Sequence, residues 1–345
     1  MTTHSDVMQD RWIKRQSNGK RVLITGVNGF VGSHLSEAYL ADGAEVIGTI
    51  RSHRSPMTHL REVLKGPNRS RLTLVPCDLT DSNCVRELAC KQYPRIIHHL
   101  AAQSYVPESW KNPAATMEAN VIGTLNILEA ARTLFNVSVQ FASSSEVYGD
   151  VRDGEAPIKE TNPLRPLSPY GVSKAAADML CRQYAASYKI DVVVTRAFNH
   201  SGPRRGHVFA ESDWALQIAR AEKAKKPCII KHGNLNAVRD YVDVRDVVRG
   251  YRLAALHANG IAGGVYNLAR GKGYEMGDIL KFLSARSKVR VKLVKDHTRV
   301  RPSDVNLLVG SAARAEEDLN WSPRFTVDEM LGSLLDYWRA KVRRD

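Results

Sequence analysis

Tyr170 and Lys174 stand four residues apart in Tyr170-Gly171-Val172-Ser173-Lys174. On a helix that spacing puts both side chains on one face. A nearby ammonium stabilises a phenolate and lowers the Tyr pKa toward working pH. A phenolate beside a nicotinamide can take an alcohol's proton while the carbon's hydride leaves. The pair therefore points to redox chemistry at a carbinol carbon. Near the start, Gly26, Gly29 and Gly32 of Thr25-Gly26-Val27-Asn28-Gly29-Phe30-Val31-Gly32 form a G-x-x-G-x-x-G turn. Glycines there let the backbone turn sharply and approach a pyrophosphate, which then sits on the N-terminus of the helix that follows.

Other segments extend this site. The run Gly48 to Arg54 carries no carboxylate for ribose hydroxyls, and none occurs between Glu45 and Glu62. Arg51 and Arg54 suit a 2′-phosphate instead, so the cofactor expected is NADP(H). Asp78, before Leu79, is placed to hydrogen-bond the adenine amine, and Thr80 is placed equally well to cap a helix. The small residues of Leu100-Ala101-Ala102-Gln103-Ser104 allow the backbone close to the cofactor. Ser143-Ser144-Ser145-Glu146 brings three hydroxyls and a carboxylate to one turn. Ser144 can hydrogen-bond the reacting alcohol, and Glu146 can act as a second acid or base. A simple dehydrogenase needs no such carboxylate. A structural Glu bonding loop amides is the competing reading.

The elements that must position these groups alternate. Arg21 to Thr25, Glu45 to Ile50, Leu72 to Pro76, Arg95 to Leu100, Ser138 to Ala142 and Val192 to Arg196 are apolar, β-branched-rich runs. Helical patterns separate them: one from Phe30, one over Ala115 to Leu134 and one over Pro169 to Tyr188. Alternation of this kind predicts an α/β fold, a Rossmann-like doubly wound parallel sheet covered on both faces. Beyond Asn199 the alternation decays, which predicts a smaller C-terminal substrate-binding lobe over the carboxyl ends of the strands. Ala312 to Leu319 and Val327 to Lys341 read as helices within it. The division expected is a mobile extension over 1–19, a cofactor domain over 20–198, and a lobe over 199–345 with some segments returning to the first domain.

Composition narrows the class. Hydrophobic residues make up 43% and charged residues 25% of the 345, as in an ordinary globular chain. No apolar run has the length of a membrane span, and Met1 to Lys20 lacks the apolar core of a secretion signal. The net charge of +14 favours anionic ligands. The basic residues are dispersed, however, and no nucleic-acid motif appears. The patches Lys223 to Lys226 and Arg339 to Arg344 read as solvated helix ends. Five scattered cysteines (Cys77, Cys84, Cys90, Cys181, Cys228) read as free thiols of a cytoplasmic protein. The His98-His99 pair ends an apolar run with no ligand-spaced partner, so no metal site is expected.

Taken together, these segments resemble the extended short-chain dehydrogenase/reductase family, and within it the GDP-mannose 4,6-dehydratase branch. Its neighbours are the GDP-manno-heptose 4,6-dehydratases and the GDP-4-keto-6-deoxymannose reductases. The resemblance runs from Lys20 to Val342. It rests on His99 to Ser104, Ser143 to Gly149, Ser168 to Lys174, Arg196 to Gly206, Gly233 to Asp240 and Arg301 to Val305. It implies a GDP-sugar partner whose phosphates meet Asn199. Arg239 and Arg301 would grip the diphosphate and Asp304 the GDP end, while Ser104 and Glu146 would face the substrate. It also implies a homo-oligomer, a dimer or tetramer, in which the turn Arg204-Arg205-Gly206 reaches a neighbouring cofactor. Ser144 stands where the dehydratase pattern usually has Thr. Gly202 and the Tyr170 to Ser173 wording are closer to the reductases.

The reaction expected is GDP-sugar 4,6-dehydration, with Tyr170, Lys174, Ser144, Ser145 and Glu146 as the catalytic set. GDP-mannose and GDP-manno-heptose both fit. An NADPH-dependent 4-keto-6-deoxy reductase would use the same Tyr170 and Lys174. A non-catalytic nucleotide-binding or redox-sensing protein would need none of Tyr170, Lys174 and Glu146.

Overall fold

The computed structural model describes residues 3–296 and 305–344. The strands are β1 (Arg21–Thr25), β2 (Glu45–Ile50), β3 (Leu72–Pro76), β4 (Ile96–His99), β5 (Ser138–Ala142) and β6 (Asp191–Ala197), followed by β7 (Asn199–Ser201), β8 (Cys228–His232), β9 (Val238–Asp243), β10 (Val265–Leu268), β11 (Gly273–Glu275), β12 (Val291–Lys295) and β13 (Leu307–Leu308). Seven of them form one sheet in the order β10-β6-β5-β4-β1-β2-β3. Every pair in it is parallel. The strands are near-continuous apolar runs because helices cover both faces. The order reverses direction between β1 and β4, so a crevice opens at their carboxyl ends, where sheets of this class hold ligands.

Local chemistry sets the helix that carries Tyr170. Ser168 caps it, accepting from the Gly171 amide, Pro169 occupies its first turn, and Lys189 closes it in the left-handed conformation. The resulting helix, Pro169–Tyr188, keeps the bounds read from sequence. The pattern over Ala115 to Leu134 resolves differently. A helix starts at Pro113, passes through a π-helical turn at Glu118–Ile122, and continues from Gly123 to Arg132. The wider turn places Asn120 against the loop after β4, where its amide bonds both backbone groups of Gln103.

Beyond β6 the chain serves both parts of the molecule. β10 pairs with β6 at the edge of the main sheet, and helix Val244–His257 packs against that sheet. The rest builds a smaller layer, with β9 between β11 and β13 and paired to β7, and β8 paired to β12. Helices Ala210–Ala224, Met276–Ala285 and Val327–Arg344 enclose its separate apolar cluster.

Three sequence readings change here. The N-terminal stretch read as a mobile extension holds helix His4–Ser17. Ile13 is 2% exposed within the core of helix Val244–His257. Gln9 accepts from Arg249 and Arg324, and Arg324 also pairs with Asp6 and Asp10. The polar face of this short segment hid its one deeply buried apolar side chain. Cys77 and Cys84, read as free thiols, form a disulfide, because the turn Asp78–Asp81 returns the chain beside itself; Cys90, Cys181 and Cys228 are free. Arg339 is not a solvated helix end. Its guanidinium takes both oxygens of Glu222 at 2.7 and 2.8 Å, and Lys223 donates to the Val342 carbonyl. None of the described helices is long and apolar enough to cross a membrane.

Replacing Ile13 with Ala removes that anchor, and stability should fall by about 2–5 kcal/mol. The midpoint of urea unfolding reads this directly, and an unchanged midpoint would show that the helix does not support the core.

Candidate active site

A cavity of about 790 Å³ lies at the carboxyl ends of the main sheet. Its floor is the glycine turn. Gly26 has φ +67°, and a Cβ there would stand 3.0 Å from Ala101 Cα. A Cβ on Gly32 would come within 2.4 Å of the Gly26 carbonyl oxygen. Both positions thus require glycine, and helix Phe30–Ala41, capped at Gly29 and containing Gly32 in its first turn, starts with its free amides at the cavity. A pyrophosphate fits a backbone cradle of this kind, so the residues present suit a dinucleotide.

Asn28, Gly29, Phe30, Val31, Leu79, Leu100, Ala101, Ala102 and Ser104 line the cavity. Asn28 anchors the next loop by donating to the Pro56 carbonyl at 2.9 Å. Arg51 lines the cavity; Arg54 is exposed and does not, and Ser55, Thr58 and His59 take that wall instead. Among the described residues the lining carboxylates are Asp78 and Glu146. Asp78 is oriented by the Thr80 amide and hydroxyl, at 3.1 and 3.0 Å. Thr80 is not the cap of helix Ser82–Gln92; Asp81 accepts from its first amides.

Ser144, Ser145, Glu146, Tyr170 and Lys174 meet in the same cavity. Ser144 caps the short turn Ser145–Val147, and its oxygen accepts from the Glu146 amide at 3.2 Å. Its hydroxyl hydrogen is then available to Tyr170. Burial pushes Tyr170 up to about 12; the Ser144 hydrogen bond opposes this, the Glu146 charge adds to it, and the Arg205 charge opposes it. Lys174 does not act on Tyr170 as the spacing suggested. Its ammonium donates to the Ala142 carbonyl at 2.7 Å, and burial lowers it to about 8. Sharing a helix face aligned the two side chains, but β5 captured the Lys174 head group.

Beneath these residues lies a buried ion pair. Asp178, one turn beyond Lys174, receives Arg196 of β6 through two bonds of 2.8 and 3.0 Å. The side chains are 0% and 1% exposed. Ser143 donates to the same carboxylate, and Arg196 continues to the Tyr148 hydroxyl, which donates to Asn267 of β10.

The expected substrate and turn residues divide. Asn199 lines the cavity. Arg239 is buried on β9, where it donates to the Val238 carbonyl, and is not in the lining. Arg301 and Asp304 lie outside the described residues. Arg204 has φ +71° and turns back onto Glu37 and Ser33 of helix Phe30–Ala41. Arg205, expected to reach toward a neighbouring copy, points into this chain's own cavity. Its guanidinium lies over the Phe209 and Phe30 rings, with Nε 3.4 Å from Glu211. Tyr105, Phe209 and Tyr251 complete the wall without having been anticipated. Tyr105 directly follows the Leu100–Ser104 motif, whereas Phe209 and Tyr251 carry no local signal.

A parallel sheet with a glycine turn after β1, and a Tyr/Lys pair on a helix facing that turn, defines the short-chain dehydrogenase/reductase class. Residues 23–334 match the family described as GDP-mannose 4,6 dehydratase, and the chain belongs to that family. It is similar to a GDP-6-deoxy-D-mannose reductase of Pseudomonas aeruginosa, 33% identical over 327 residues, covering 94% of this chain and 99% of the relative. The human GDP-mannose 4,6 dehydratase is 32% identical over 337 residues, covering 91% and 90%. Among solved structures, RMD from Pseudomonas aeruginosa complexed with NADPH superposes with a TM-score of 0.77 at 31% identity, covering 93% and 99% of the two chains. A UDP-glucose 4-epimerase from Thermotoga maritima gives 0.81 at 26% identity, with the same coverage.

Two outcomes follow from the buried charges. Asp178→Asn leaves Arg196 without its counter-charge, and urea unfolding should show a loss of about 3–5 kcal/mol. For Lys174, the folded value of about 8 lies below the ordinary 10.5. Folding therefore expels a proton between those values. The contribution is present above pH 10.5 and lost as pH falls through 8. The stability of the wild type relative to Lys174→Met should accordingly rise from pH 8 to pH 10; a flat difference would contradict the burial argument.

Proposed function

We propose that this chain is a GDP-sugar 4,6-dehydratase that converts GDP-mannose or GDP-manno-heptose to the 4-keto-6-deoxy product, with NADP(H) as its cofactor. One observation carries the reading: Glu146 shares a cavity with Ser144, Tyr170 and Lys174. Oxidation at C4 alone needs no second carboxylate, whereas elimination across C5 and C6 needs a base.

The glycine turn Gly26–Gly32, Leu100–Ala102 and Arg51 would hold the cofactor. When bound, it supplies hydride acceptance from C4 and hydride return to C6, so no net oxidation occurs. Tyr170 takes the C4 hydroxyl proton as its phenolate, the form that the Ser144 hydrogen bond and the Arg205 charge favour against burial. The C4 ketone acidifies the C5 proton. Glu146 removes that proton, and Glu146 or Ser145 protonates the C6 hydroxyl as it leaves as water. A carboxylate that carries out one proton transfer in this way contributes on the order of 100-fold or more.

A second reading has its own support. The Pseudomonas aeruginosa relative, matched over 99% of its length, is a GDP-6-deoxy-D-mannose reductase. A reductase would use Tyr170 as a proton donor and consume NADPH.

Incubation with GDP-mannose, and separately with GDP-manno-heptose, using only catalytic NADP⁺, separates the two. Mass spectrometry should show the loss of one water, and the faster sugar names the substrate. No loss, with NADPH oxidised when a 4-keto-6-deoxy GDP-sugar is supplied, makes it the reductase. In the dehydratase, Glu146→Gln should bind NADPH as the wild type does while turnover falls about 100-fold or more. Normal turnover by that variant would remove Glu146 from the mechanism.

A further inference from the structure

His99 belongs to the His99–Ser104 motif, yet it does not line the cavity. It sits at the end of β4, 2% exposed, between two threonines that are also buried. Thr25, at the end of β1, accepts the Leu100 and Ala101 amides on one oxygen, each at 3.0 Å. Both lone pairs of that hydroxyl are then used, and its hydrogen can only go to His99 Nδ1, 2.9 Å away. On the other side, Thr124 donates to the Asn120 carbonyl at 2.6 Å. Its oxygen must therefore accept from His99 Nε2, at 3.0 Å. One tautomer satisfies both ends, with the proton on Nε2.

The chain of bonds continues. The Asn120 side chain accepts from the Gln103 amide at 2.8 Å and donates to the Gln103 carbonyl at 3.0 Å and to Ser173 Oγ at 2.9 Å. Ser173 donates to the Tyr170 carbonyl at 2.7 Å. A single buried path thus joins the strand end before Gly26, the Leu100–Ala101 turn and the helix carrying Tyr170 and Lys174. None of its donors is left over to compete.

We propose that His99 is a positioning residue that holds the cofactor-binding turns in register with the catalytic helix through an Nε2-protonated ring. A second proton would place an N–H against Thr25, whose lone pairs are both occupied, and break the path. Burial, and after it the Lys174 charge, lowers His99 to about 3, so the neutral ring persists at working pH. The inference rests on the reading of the cavity as a nicotinamide-cofactor and GDP-sugar site.

Amide substitutions divide the ring's two roles. His99→Asn keeps an acceptor near the Nδ1 position, and His99→Gln keeps a donor near the Nε2 position. NADPH affinity is read by fluorescence titration, and kcat is read with the GDP-sugar that the full-length protein turns over. His99→Gln, which abandons Thr25, should weaken NADPH binding about tenfold. His99→Asn, which abandons Thr124 and Asn120, should lower kcat about tenfold with NADPH affinity kept. His99→Leu should show both losses. Thr124→Val should reproduce His99→Asn, and Thr124→Ser should restore wild-type values, which covers the case in which His99→Leu fails to fold. Equal losses in Asn, Gln and Leu, or affinity and kcat within twofold of wild type in folded His99→Leu or Thr124→Val, would overturn the proposal. A wild type that binds NADPH but turns over no GDP-sugar would sink the reaction assignment instead, and the binding series would still decide the role of His99.

Discussion

The Asp178–Arg196 pair is the interaction on which the rest of the site depends. Two full charges sit out of water, and such burial is tolerated only where the remaining donors and acceptors are matched. Here they are. Asp178 takes two guanidinium bonds and the Ser143 hydroxyl, and Arg196 spends another nitrogen on Tyr148 and the Glu160 carbonyl. Each partner comes from a different element. The helix carrying Tyr170 and Lys174, the turn after β5 and β6 therefore share a single arrangement, and the Tyr148–Asn267 bond extends it to β10.

That constraint explains why the working groups converge. Lys174 stands one turn before Asp178 on the same helix, and its ammonium reaches the Ala142 carbonyl at the end of β5. Ser144 follows Ser143 in the chain. Once Ser143 is fixed to Asp178, Ser144 meets Tyr170 from the other side, with Glu146 in the same turn. The two halves of the site, one on a helix and one on a strand end, are brought together by a salt bridge whose residues lie outside the cavity lining.

Electrostatics in the cavity follows from burial. Tyr170 is raised and Lys174 lowered by the same loss of water. Arg205 adds a positive charge over Phe30 and Phe209, directly behind the glycine turn. A diphosphate placed there meets helix amides and a guanidinium together, and each favours the anion. The overall charge of +14 acts in the same direction over longer range.

Much of this was legible in the sequence. Alternating apolar runs, the Gly26–Gly32 spacing, the Ser168-Pro169 helix start and the Tyr170/Lys174 interval are short-range signals, because caps, turns and helix faces are decided within a few residues. They gave the fold class, the glycine turn and the helix carrying Tyr170 and Lys174 to its end residues. Contacts between distant segments were decided by tertiary structure. The fold placed β10 beside β6, Phe30, Phe209 and Glu211 held Arg205 inward while Arg54 stayed outside, and Ile13 docked into the core with helix Val244–His257. The fold also moved the Lys174 head group from Tyr170 to Ala142. Local spacing shows which side chains share a face, but only packing across the sheet decides which buried donor finds which acceptor.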